Sequence, residues 1–264
     1  MPFAIPRGPQ RIVCLTEEPT EILYALGEQE RIVGISAFTV RPPEARRDKP
    51  AISGFTGGSV KKIVALQPDL VIGFSDIQAE LAKKLIANNL SVLIFNQRSI
   101  SEILGVITDV GRLVNRAAAA EALVAGYIQR LERAAEVASG RAVKPRVYFE
   151  EWDEPMITAI QWVSELVELA GGRNVFADRA RGKLARERFV SAEEVVRAAP
   201  DVVFASWCGK PFDRSLFEAR PGFSELPAVR EGRVIEVPSP IILQPGPACL
   251  TDGLAFLIGN LAEK

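Results

Sequence analysis

The chain has 264 residues, 48% of them hydrophobic and 25% charged, with a formal net charge of −1. That balance gives no reason to expect nucleic acid or an anionic membrane as a partner, and no apolar stretch reaches the roughly 20 residues that span a bilayer. Histidine is absent altogether, which removes the commonest general base, the usual catalytic triads and most zinc and haem ligation schemes.

In chain order, residues 11–15 (RIVCL) predict a short buried strand. TEEPTEILYALG then reads as a helix, with Glu18 placed to cap it, Pro19 in its first turn and Gly27 ending it. Residues 32–36 (IVGIS) are the next strand, followed by a polar loop through Phe38 and 41–43 to SGFTGG at 53–58. KKIVALQPDLVIGFS predicts a helix, a break at Pro68-Asp69 and a strand over 70–74. A helix over 79–89, a strand over 91–95 and a helix over 99–114 follow. Near-continuous apolar strands alternating with helices predict a parallel sheet covered on both faces.

The alanine-rich run 116–139 carries apolar residues at Ala120, Leu123, Val124, Tyr127, Ile128, Leu131, Ala134 and Ala135, the period of an amphipathic helix. At 1.5 Å per residue it would reach roughly 36 Å, with Leu123, Tyr127 and Leu131 expected to be buried between the lobes. The pattern then restarts with a strand over 146–149, a loop EEWDEP and a helix over 162–170. EEVVRAAPDVVFAS at 193–206 repeats KKIVALQPDLVIGFS about 132 residues later, before a strand over 234–237 and a helix over 248–261. The expected organisation is an N-terminal α/β lobe over 1–115, a connecting helix over 116–139 and a C-terminal α/β lobe over 140–264. Ligands of such sheets sit beyond the carboxyl ends of the strands, so two lobes would hold one in a cleft between their loop edges.

Those strand ends carry the candidate site. Glu17-Glu18 follows the first strand of the first lobe and Glu150-Glu151 that of the second, with Asp153 and Glu154 beside it. Paired carboxylates can hold a hard cation, exchange protons or bind a cationic ligand, or else cap the helices they precede. Glu18 and Glu154, each directly before a proline, fit capping, which leaves Glu17 and Glu150 freer to face a ligand. Aromatic residues gather at the same ends: Phe38, Phe55 and Phe74 in the first lobe, Trp152, Trp162 and Trp207 in the second. Such a lining suits a large, flat, partly apolar ligand held by stacking and a few hydrogen bonds. Cys208 adds either a thiol within reach of a soft metal or an inert packing group. Gly57-Gly58 and Gly171-Gly172 match no phosphate-cradling fingerprint, and the spacing of Cys14, Cys208 and Cys249 marks no metal site. The three cysteines, with opening residues that show no basic region before an apolar run, lead to an expected cytoplasmic location, or a periplasmic one if a leader has been trimmed.

RIVCLTEEPTEILYALG, RIVGIS, PPEA and SVKKIVALQPDLVIG together resemble the first lobe of the class III solute-binding proteins of ABC importers, in particular their cobalamin-binding branch. FVSAEEVVRAAPDVVFAS, LPAVREGRVIEVPS and ILQPGPACLTDGL extend the likeness through the second lobe. The resemblance implies two similar α/β lobes with parallel sheets flanked by helices, bridged by one long rigid helix. It implies non-catalytic binding of a corrinoid, cobalamin or a precursor, in a shallow cleft with aromatic contacts from both lobes. By position it puts Phe55 and Phe74 among the first-lobe contacts and Trp152 and Trp207 on the second-lobe ligand loops. It also implies an ABC permease as partner, docked through one surface glutamate per lobe. Lys61 stands at the first-lobe position and reverses that charge, while Glu225 is the candidate in the second, so a carrier that does not engage a conventional importer is expected. Three other readings stand beside it. The ligand could be an iron–siderophore or haem, for which Arg41, Arg186 and Arg188 would have to converge. The protein could be an enzyme using Glu150 or Glu151, or an interaction module that binds no ligand.

Overall fold

Short runs of Ile, Val, Leu and Phe, each closed by a polar turn, build the strands of the computed structural model, which describes residues 7–54 and 57–262. The chain divides into two units, Met1–Gln97 with Ser101–Gly126, and Arg98–Ile100 with Tyr127–Lys264. In the first, β1 (Ile12–Cys14), β2 (Ile32–Ser36), β3 (Ala51–Ser53), β4 (Leu70–Phe74) and β5 (Val92–Phe95) form one sheet in the order β3-β2-β1-β4-β5, with every pairing parallel. Val13, Leu15, Ile52, Ile63, Val71, Leu81 and Leu85 pack as its apolar core. The edge strand β3 has only three residues inside a polar stretch, too short a run to show a period in the sequence.

The second unit contains β6 (Arg146–Asp153), β7 (Met156–Thr158), β8 (Arg173–Asn174), β9 (Val202–Ala205) and β10 (Val234–Glu236). Their order is β10-β9-β6-β7, with β8 paired to the start of β6; β7 is antiparallel and the other pairings are parallel. EEWDEP is therefore not a loop. β6 runs on to Asp153 and turns back, pairing Glu150 with Thr158 and Trp152 with Ile157. Acidic residues disfavour strands, and here cationic side chains from elsewhere in the unit offset them: Arg220 for Glu150, Arg188 for Glu151 and Lys210 for Asp153. Tyr148, Val190, Val203, Phe217, Phe223 and Leu226 belong to the core of this unit.

The internal repeat is built from the same local devices twice. Ser59 accepts a hydrogen bond from the Lys62 amide at the start of the helix Val60–Ala65, and Ser191 accepts one from the Glu194 amide at the start of Ala192–Ala198. Asp69, ahead of β4, accepts from the amides of Gln10 and Arg11 at 2.7 and 2.9 Å, at the start of β1. Asp201, ahead of β9, accepts from the Arg146 amide at 2.7 Å, at the start of β6. Each Pro-Asp pair thus ends a helix and ties the following strand to its neighbour.

The long helix is Ala117–Ser139, and the division between units falls within it. Its buried positions are mostly small: Ala120, Leu131, Ala134 and Ala138. Leu123 and Tyr127, expected in the interior, are only half-buried, while Ile128 and Val137 are exposed. Small residues take the buried stripe because the backbones approach closely at its start. A Cβ on Gly111, near the end of the helix Ile100–Leu113, would lie 2.3 Å from the Cβ of Ala120. Gly111→Ala should therefore force these helices apart and cost about 1–3 kcal/mol. Urea unfolding checks this, read as a lower midpoint at an unchanged slope.

Candidate ligand-binding site

Side chains two apart on a strand share a face, so Tyr148 and Glu150 of β6 point the same way, into the core. Glu150 has no exposed surface. It accepts hydrogen bonds from Tyr148 Oη at 2.9 Å, Trp207 Nε1 at 3.0 Å, and both terminal nitrogens of Arg220 at 2.5 and 3.1 Å. Burial pushes the Glu150 carboxyl upward, against the opposing pull of Arg220, Tyr148 and Trp207. Burial and the neighbouring Glu150 hold the Tyr148 phenol well above its usual range, so it stays a donor. Arg220 also lies over the rings of Phe217 and Phe223, at 5.3 and 5.4 Å.

This corrects the expectation that Glu150 faces a ligand: its carboxylate is turned inward and saturated by four donors. Glu151, its companion in the enzyme reading, is paired with Arg188 at 2.5 and 3.0 Å. Arg188 is itself 3% exposed and also donates to the Thr158 carbonyl. Trp162 leaves the candidate set by position, because the antiparallel β7 carries the chain back from the carboxyl end of β6 before it. It is the second residue of the helix Gln161–Leu169, is buried, and donates its indole N–H to the Ile242 carbonyl at 2.9 Å.

Trp152, Trp207 and Cys208 are brought together at the carboxyl ends of β6 and β9. Trp152 is half-buried and its Nε1 donates to the Glu154 carbonyl at 2.9 Å. Trp207 is buried, with its ring edge-on to Phe212 at 4.9 Å. Cys208 follows it, half-buried. Lys210, which the sequence reading did not single out, places its ammonium over both tryptophans and against Asp153. Arg220 was missed as well. Its partner Glu150 lies 70 residues away, a distance no local pattern spans, although the Tyr148–Glu150 alternation was a usable sign that Glu150 is internal.

In the first unit, Glu17 and Glu18 open the helix Glu17–Ala25, both buried. Thr16 is the N-cap, and its hydroxyl donates to Glu18 Oε1 at 2.8 Å, so Glu18 is not the cap. Oε2 of each carboxylate lacks a hydrogen-bond partner among the described residues. Burial, then the charges of Glu18 and Glu21, pushes the Glu17 carboxyl up to about 8; burial pushes that of Glu18 up to about 7. Burial likewise drives the Cys14 thiol up to about 12, leaving it an inert packing group. Phe74 closes β4, buried, with its amide donating to Gln78 Oε1 at 3.0 Å. Phe38, after β2, is 47% exposed. Phe55 lies outside the described residues. Among those described, no group of three or more His, Cys, Asp or Glu side chains is placed to hold a metal ion.

Each of the two units is α/β, with aromatic side chains at its strand ends. A family model for periplasmic binding proteins matches residues 12–241, and the chain belongs to that family. The vitamin B12-binding protein of Vibrio parahaemolyticus is 27% identical over 91% of this chain and 86% of its own length. Among solved structures, the periplasmic vitamin B12 binding protein BtuF of Vibrio cholerae aligns with a TM-score of 0.75 at 25% identity, over 97% of this chain and 98% of its own. The periplasmic heme-binding protein RhuT from Roseiflexus sp. RS-1, in apo form, aligns at 0.79 with 26% identity, over 97% of this chain and all of its own.

Two predictions follow from the buried acids. Arg220→Met removes the charge that answers Glu150 and should cost about 3–5 kcal/mol, the scale for breaking a buried pair; denaturant unfolding at neutral pH reads it. For Glu17, folding raises the pKa from 4.5 to about 8, so the folded state binds the extra proton between those values. Stability from this group is full below pH 4.5 and is lost as pH rises through 8. Glu17→Gln, which cannot ionise, should match wild type near pH 4.5 and melt higher than wild type near pH 9. Parallel melting curves across that range would show that Glu17 keeps an ordinary pKa.

Proposed function

We propose that the protein is a non-catalytic carrier of a corrinoid, cobalamin or a precursor, and that it serves transport. The observation that carries this reading is the half-buried Trp152 indole at the carboxyl end of β6, fixed by its N–H hydrogen bond, with the buried Trp207 indole beside it under the same Lys210 ammonium. The names of the two Vibrio proteins support a corrinoid as the stacked ligand. We assign contacts to Trp152 and Trp207, with Cys208 beside them, in the second unit; Phe38, Phe74 and Glu17 are the strand-end candidates of the first unit.

Haem or an iron chelate is the second reading, favoured by the likeness to the Roseiflexus heme-binding protein. Two of the three arginines that an anionic chelate would recruit are already neutralised: Arg41 by Glu21 and the buried Arg188 by Glu151. A chain without histidine also lacks the commonest iron ligand of haem proteins.

The family name and the periplasmic solved structures support a place outside the cytoplasm, against the cytoplasmic expectation drawn from the opening residues and the cysteines. Among the described residues no helix is long and apolar enough to cross a membrane. Delivery to a permease fits that location better than the importer-free role read from Lys61. Lys61 and the adjacent Lys62 are both exposed on the helix Val60–Ala65, and Glu225 in the second unit is exposed and paired with Arg230.

Titration with cyanocobalamin and with haemin in parallel, followed by tryptophan fluorescence and ligand absorption, tests the proposal. Saturation by cyanocobalamin in the low micromolar range is expected. Trp152→Ala should weaken it roughly thirtyfold, about 2 kcal/mol for an aromatic anchor. Trp152 is a cleaner probe than Trp207, whose removal would also leave Glu150 short of a donor. No spectral change at tens of micromolar cyanocobalamin, with haemin bound, would replace the first reading by the second.

A further inference from the structure

Three groups of the second unit surround one ammonium. Lys210 Nζ lies 4.5 Å from the centroid of the Trp152 ring, 4.8 Å from that of Trp207 and 2.7 Å from Asp153 Oδ2. Two indole faces and a carboxylate around a cation are the composition of an aromatic cage, in which ring quadrupoles attract positive charge withdrawn from water.

The walls of this cage stand without the lysine. Trp152 is fixed by its bond to the Glu154 carbonyl. Trp207 is fixed by its bond to Glu150, itself gripped by Arg220 and Tyr148, and by its edge contact with Phe212. Asp153 sits in the β6–β7 ladder, opposite Met156. Lys210 arrives from an exposed turn after β9, one residue beyond Gly209, whose φ is 82° and whose Cβ position faces open space. The backbone bond from Lys210 to the Trp207 carbonyl is long, at 3.4 Å. The rings are preorganised, then, and the cation is on the movable side.

We propose that Trp152, Trp207 and Asp153 form a cation-binding subsite which the chain's own Lys210 fills in the free protein, and that a ligand bearing an alkylammonium or similarly compact cationic group displaces it. Lys210 is an internal competitor: its withdrawal exchanges one cation for another, so Asp153 keeps a counter-charge in both states. A ligand with an anionic group at this place has no such exchange available, because it would meet the lysine and leave the rings occupied. The inference rests on the second unit alone, and a macrocycle stacked on Trp152 and Trp207 must likewise displace Lys210 from their rings.

Tetramethylammonium chloride is the probe, titrated against wild type, Lys210→Ala and the double variant Lys210→Ala/Trp152→Ala. Tryptophan fluorescence is the readout and sodium chloride the ionic-strength control. Lys210→Ala should respond saturably, with a midpoint at least about tenfold below that of wild type, the competitor having been removed. The response should be lost in the double variant and weakened several-fold when Asp153→Asn is added to Lys210→Ala. Equal midpoints in wild type and Lys210→Ala, or a double variant that binds like the single one, overturn the subsite. Should Trp152→Ala fail to fold by its melting curve, Trp152→Phe takes its place: an intermediate midpoint supports the subsite, and an unchanged one overturns it. Cyanocobalamin binding is measured on the same samples, so the corrinoid reading and the cation subsite can fail separately.

Discussion

A carboxylate with no exposed surface must be answered by charge and hydrogen bonds, because moving an ion out of water costs several kcal/mol. Glu150 imposes that demand on the second unit. Its fork to Arg220 fixes the segment around Phe217 and Phe223, on whose rings the guanidinium rests. Its bond from Trp207 fixes the turn after β9, and its bond from Tyr148 locks the neighbouring position of its own strand. One buried charge therefore joins three stretches distant in sequence, and it does so directly beneath the aromatic pair that we assign to the ligand. In the site we propose, Glu150 is the support of Trp207 rather than a contact.

The same logic explains how a strand can end in Glu-Glu-Trp-Asp. The β6–β7 register shifts between Glu150 and Trp152, and Glu150 and Glu151 are directed to different partners, with Arg220 and Arg188 supplying them separately. Asp153, nearer solvent, is matched by Lys210. These pairs are not equal in weight. The two arginines are largely buried and hold their carboxylates by two nitrogens each, which is strong in a low-dielectric setting. The lysine is partly exposed and contributes less to stability. That difference makes Arg188 and Arg220 structural and leaves Lys210 free to take part in ligand exchange.

What the sequence revealed and what it concealed divide by range. The two-unit repeat was legible because its determinants are local: Ser59 and Ser191 before their helices, and Asp69 and Asp201 after their prolines, do their work within or beside the repeated segment. The strands β1, β4, β6 and β9 were legible as apolar runs. The edge strands β3, β7 and β8 were not, since each is two or three residues long and owes its form to a neighbour's ladder. Among candidate ligand residues, Trp162 misled because a tryptophan at a helix start looks like loop lining until its indole finds Ile242, 80 residues on. Glu150 misled in the opposite direction, its identity saying surface while its spacing from Tyr148 said core.

Those same positions show how the duplicated architecture has diverged in chemistry. The first unit places its pair of glutamates just after its first strand and the second unit places its pair within the strand itself, and the outcomes are unlike. In the first unit Glu17 and Glu18 are buried with an oxygen each left without a hydrogen-bond partner among the described residues, and burial pushes both carboxyls up to near neutrality. They can hold a proton there and change charge with modest shifts of pH. In the second unit Glu150 has its own arginine, and the accessible charge at the strand ends is the Lys210 ammonium against Asp153. The repeat thus supplies one scaffold twice, while the side chains at its strand ends give one copy a titratable acid and the other a caged cation. In our proposal ligand choice resides in that asymmetry, since proteins of similar fold include a vitamin B12-binding and a heme-binding one.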